Sequence, residues 1–112
     1  MRDMQLADGH DCETDQGIGL PPGSIVRVLK ISNQKGLHAR ASAKFVQTVE
    51  KFDVDVRVSR GTETVGGTSI MGLMMLAAGP GTEITVAACG QQKAEALAAL
   101  EVLVNGRFGE DD

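Results

Sequence analysis

The chain has 112 residues, a net charge of −4 and 42% hydrophobic residues, a size and composition that suit one domain with a single core. Three phenylalanines are its only aromatics, so stacking on bases has almost no side chains to use, and nucleic acid is not an expected ligand. No run reaches the roughly 18 to 20 apolar residues that span a bilayer, and MRDMQLADGHDCETD lacks the apolar centre of a signal peptide. These features exclude membrane insertion and lead to the expectation of a cytoplasmic protein.

Residues 1–23 set Asp3, Asp8, Asp11, Glu13 and Asp15 against Arg2 alone, show no hydrophobic period, and end at Pro21-Pro22-Gly23. They read as a disordered acidic leader. Its His10 and Cys12 are too few to make a metal site, so neither a metal nor a cofactor is expected. Cys12 and Cys89 are expected to be free thiols, because a reducing compartment disfavours disulfides.

The compact domain is expected over residues 24–108, followed by a short acidic tail at 109–112. SIVRVLKIS is β-branched and reads as a strand, and NQKGLH as a loop. ARASAKFVQTVEKF spaces Val46, Val49 and Phe52 helically, with Phe45 beside them, and predicts a helix over 39–51. VDVRV alternates Val54, Val56 and Val58, and the turn SRGT leads into the partner strand TETV. SIMGLMML predicts a short helix capped by Thr68 or Ser69, with Ile70, Leu73 and Leu76 facing inward. TEITVAAC alternates Ile84, Val86 and Ala88 as a fourth strand. KAEALAALEVLV carries Leu97, Leu100, Leu103 and Val104 on one helical stripe, stopped by Asn105-Gly106. The order βαββαβα predicts an α+β fold in which three helices cover one face of a four-stranded sheet.

Charge is unevenly distributed. Residues 24–60 hold eight cations, including Arg40, Lys44 and Lys51, against Glu50, Asp53 and Asp55, whereas 61–112 are acidic, and Glu50 and Lys93 read as solvated charges. His38 lies within the basic segment. A lone histidine in a loop is usually an ordinary surface residue. At a helix start, however, the unpaired N–H groups and the dipole favour a neutral, nucleophilic imidazole and accommodate a phosphoryl group bonded to it. Arg40 can neutralise phosphate oxygens from the first turn, and Gly36 lets the backbone turn just before the histidine. No phosphate-binding glycine loop and no Mg²⁺-binding carboxylate set accompany it, so such a chain could carry a phosphoryl group but not take one from ATP unaided.

GLHARASAKFV, followed by SIMGLMML and GTEITVAACG, closely resembles the HPr family of phosphocarriers of the bacterial phosphoenolpyruvate-dependent phosphotransferase system. The resemblance covers residues 24 to about 106. It implies an open-faced β-sandwich and a monomer without stand-alone catalysis. By the same resemblance, His38 accepts phosphate on Nδ1 from enzyme I and passes it to an EIIA-type protein, with Arg40 as the active-site arginine. Ser69 matches the serine that an HPr kinase/phosphorylase modifies in many relatives, although an ordinary N-cap role explains it equally well. Met71 and Met74, ringed by Arg40, Lys44 and Lys51, form the expected partner surface. Two other readings compete: a regulatory binding module controlled through Ser69, and a ferredoxin-like ligand-binding domain. The sequence does not separate a sugar branch from a nitrogen-type regulatory branch.

Overall fold

The computed structural model describes residues 23–109, so most of the expected leader and residues 110–112 lie outside the described residues. Four strands, β1 (Ile25–Lys30), β2 (Asp55–Arg60), β3 (Glu63–Gly66) and β4 (Glu83–Cys89), form one sheet in the order β1-β4-β2-β3. Every pairing is antiparallel. Three helices, α1 (Ala39–Val49), α2 (Ile70–Met75) and α3 (Lys93–Asn105), complete the predicted order, and a 3-10 turn follows at Arg107–Gly109. Among the described residues no helix is long and apolar enough to cross a membrane.

Alternation decides which face is covered. Leu29 and Ile31, Val56 and Val58, and Ile84, Val86 and Ala88 enter one core with Phe45, Val49, Leu73, Leu97, Leu100 and Val104 from the helices. The opposite face carries Val26, Val28, Asp55, Arg57, Ser59 and Thr85 between those positions, and Val28 is 58% exposed there. The sheet is therefore open-faced. Two residues of that face are nonetheless buried: Ala87, whose small methyl sits between Val26 and Arg57 in the register, and Cys89. Cys89 is disulfide-bonded, which corrects the expectation of a free thiol; the other cysteine, Cys12, lies outside the described residues. Thiol pairing depends on the approach of the two Cα atoms in space, which sequence spacing does not reveal.

Two further expectations are corrected. Ile70 does not face inward but is 40% exposed, because α2 has only six residues and buries the Leu73 and Leu76 side of its turns. Lys93 is no solvated charge: its ammonium donates to the Gly23 carbonyl and ties the start of α3 to the start of β1. Phe108, beyond the predicted stop, is completely buried. To reach the core the chain takes left-handed φ values at Arg107 (58°) and Phe108 (56°), which is unfavourable for residues with a Cβ. Burial of the ring and a 2.6 Å bond from Lys44 Nζ to the Phe108 carbonyl offset that cost.

The helix α2 lies so close to β3 that its glycine is a packing requirement. A Cβ on Gly72 would stand 2.9 Å from Val65 Cβ, an atom fixed to the backbone. Gly72→Ala is accordingly expected to cost about 1 to 3 kcal/mol through overpacking. Urea denaturation checks this, and an unchanged midpoint would show that the helix can lift away freely.

Candidate functional site

His38 is the N-cap of α1. Its backbone is extended (φ −79°, ψ −175°), and its carbonyl accepts from Ser42 N–H at 2.8 Å. The half-buried side chain makes no capping bond to the helix. The N–H groups of Ala39, Arg40 and Ala41 therefore open toward the end of the helix where the imidazole begins, with no intrahelical acceptor of their own. Arg40 lies in that first turn and is exposed.

The loop that delivers His38 is held from several sides. Leu37 is buried, and its N–H donates to the Ala78 carbonyl at 2.9 Å, while Ser42 Oγ bonds the Leu37 carbonyl at 3.3 Å. Gly36 has a φ of +64°, and a Cβ there would fall 2.2 Å from the Ala78 oxygen, so only glycine fits between the two loops. The Gly36 carbonyl accepts from His38 N–H at 2.9 Å and from Asn33 Nδ2 at 2.9 Å. Asn33 is completely buried. Nothing in the sequence pattern singles it out, because loop asparagines are common and their burial is a tertiary property.

The same junction receives the end of α2. Arg60 Nη1 donates to the Leu76 carbonyl at 2.9 Å and reaches the Ala77 carbonyl at 3.4 Å, giving that helix terminus a cationic cap from β2. Around it Met71 and Met75 are 70% and 71% exposed, with Ile70 and Met74 at 40% and 39%. These four make one apolar patch on a helix packed against α1. At the other end of α2, about 9 Å away by helical rise, Ser69 Oγ accepts the Gly72 N–H at 2.9 Å. Ser69, not Thr68, is the N-cap.

Lys44 is engaged by the Phe108 carbonyl, and Lys51 lies just beyond the far end of α1, about 20 Å from His38 at 1.5 Å per residue. Among the cations expected around the methionines, Arg40 alone lies in the first turn beside His38.

An open-faced sheet with a histidine capping its first helix offers a helix N-terminus that can receive an anion, and comparison with known proteins assigns the class. A family model described as "PTS HPr component phosphorylation site" matches residues 25–106. The phosphocarrier protein HPr of Neisseria meningitidis serogroup A is 51% identical over 84 residues, covering 75% of this chain and 94% of that protein. HPr of Pseudomonas aeruginosa is 49% identical over 85 residues, with the same two coverages of 75% and 94%. A crystal structure of HPr from Thermoanaerobacter tengcongensis is similar with a TM-score of 0.75 and 38% identity, over 79% of this chain and 99% of that one. The chain belongs to the HPr family of phosphocarrier proteins of the phosphotransferase system.

The cap at Ser69 makes a test in its own right. Ser69→Ala is expected to lose about 0.5 to 2 kcal/mol of stability, whereas Ser69→Asp keeps most of it, since aspartate is as good an N-cap. Parallel denaturation curves check the pair; an unchanged midpoint in Ser69→Ala would mean that the 2.9 Å bond contributes nothing.

Proposed function

We propose that His38 is the phosphorylated residue of this carrier, receiving the phosphoryl group from phosphorylated enzyme I and passing it to an EIIA-type protein. The observation that carries this is the place of His38 as the N-cap of α1, where first-turn N–H groups and the helix dipole favour an anion on the imidazole. In the accepting step the Nδ1 lone pair of His38 attacks phosphorus. The N–P bond of the donor breaks, and the electron pair returns to the donor imidazole. One N–P bond replaces another, so the transfer is close to balanced and reversible. The transition state spreads charge over three equatorial oxygens, which the helix N–H groups and the Arg40 guanidinium can receive.

The exposed patch of Ile70, Met71, Met74 and Met75 suits docking with unlike partners in turn, because unbranched methionine side chains repack at low cost. Phosphorylation of Ser69 by an HPr kinase/phosphorylase would add close to two negative charges beside that patch. The helix start tolerates the phosphate, and weaker coupling to enzyme I follows from charge and steric bulk without unfolding.

Incubation with phosphoenolpyruvate, Mg²⁺ and catalytic enzyme I, followed by intact mass before and after brief acid, tests the site. The native protein is expected to gain one acid-labile phosphate and His38→Ala none. Arg40→Ala should still be labelled, but about 10- to 100-fold more slowly, the loss of one charge-assisted hydrogen bond. Full labelling of His38→Ala would sink the assignment.

A further inference from the structure

We propose that Asn33 is a positioning residue for phosphoryl transfer: its buried side-chain amide, acting through the Gly36 carbonyl, fixes where His38 presents its ring. This rests on His38 being the phosphorylated residue.

A buried amide is costly unless its hydrogen bonds are made, so a fully buried asparagine in a loop requires a structural reason. Its Nδ2 bond and the bond to its main-chain carbonyl both go to one residue, Gly36. Asn33 clasps Gly36 from both sides: its own carbonyl accepts the Gly36 N–H at 3.2 Å, and its Nδ2 donates to the Gly36 carbonyl at 2.9 Å. That carbonyl is also the acceptor of the His38 N–H at 2.9 Å. The peptide preceding the histidine is thus held by Asn33 on one side and by the Ala78 carbonyl on the other, where Leu37 N–H bonds and a Cβ on Gly36 would collide. Two residues before Asn33 the chain is anchored to the sheet end: Ile31 N–H donates to the Thr82 carbonyl and Gly81 N–H to the Ile31 carbonyl, both at 2.8 Å. Between Ile31 and His38 the backbone is therefore held by hydrogen bonds at several points, one of them supplied by the side-chain amide of Asn33.

A helix N-cap inherits its orientation from the chain that enters it. Without the Nδ2 donor, the Gly36 carbonyl keeps only the His38 N–H. The 36–37 peptide can then rock, and the imidazole moves relative to the first-turn N–H groups. In-line transfer between two proteins tolerates such displacement poorly, and an error of about 1 Å can cost on the order of 100-fold in rate. Asn33 does this without touching a partner protein, since it has no exposed surface.

The test compares the full chain with Asn33→Ala, Asn33→Asp and Asn33→Ser in rapid-quench transfer from phosphorylated enzyme I, at a temperature where circular dichroism shows every variant folded. The expected result is a fall in kcat of about tenfold or more for Asn33→Ala with an unchanged KM for enzyme I. Asn33→Asp, nearly the same shape but without the N–H donor, should fall at least as far. Asn33→Ser, whose hydroxyl can still donate locally, should fall less and keeps the test usable if the other two do not fold. A second readout, the NMR signals of the His38 ring, is expected to shift and broaden in Asn33→Ala in the absence of any partner. Wild-type kcat in folded variants, or a change confined to KM, overturns the proposal. If the native protein takes no phosphate on His38, the functional reading fails separately. Asn33 is then judged by the ring signals, and unmoved signals overturn its positioning role as well.

Discussion

The hydrogen bond from Leu37 N–H to the Ala78 carbonyl joins the two loops on which the rest of the functional end depends. One loop leads from β1 into α1 and ends in His38; the other leaves α2 and enters β4. Leu37 buries its side chain at that junction, Gly36 has no room for a Cβ, and Ile31 bonds to Gly81 and Thr82 behind them. Arg60 adds a bond from β2 to the end of α2. Strand, helix and loop are brought to one point by main-chain bonds, a rigid way to hold a residue.

A carrier needs rigidity and tolerance in the same small surface. The backbone around His38 supplies the first, because the N–H groups of Gly36, Leu37 and His38 are all bonded and Gly36 is sterically confined. The exposed residues of α2 supply the second, since their methionines can adopt different rotamers against different partners. The two properties sit on adjoining elements: the helix that bears the adaptable patch ends at the loop that fixes the histidine.

Much of the fold was legible because its signals are local. Alternation at Val56 and Val58 and at Ile84, Val86 and Ala88 marked the covered face of the sheet, and the helical stripe of Leu97, Leu100 and Val104 marked α3. Charge was harder to read. The basic segment from 24 to 60 holds eight cations, of which Lys44 bonds the Phe108 carbonyl and Arg60 the end of α2. A cation's role depends on what lies opposite it, and for these two residues the opposite groups are 64 and 16 positions away. Ile70 was misread for a related reason: a helix of six residues has too few turns for spacing alone to define its buried side.

The sequence by itself determined the order of elements, the open-faced α+β architecture, the family and the candidate histidine, because periodicity, turn residues and contiguous motifs are properties of neighbouring positions. The tertiary structure alone decided that Asn33 is buried against Gly36, that Phe108 closes the core through a left-handed turn, that Cys89 is disulfide-bonded, and that the Ala78 carbonyl meets the loop before His38. Those outcomes follow from which distant segments come into contact once the helices settle on the sheet. Burial and hydrogen-bond partners belong to that contact, and no local pattern encodes them.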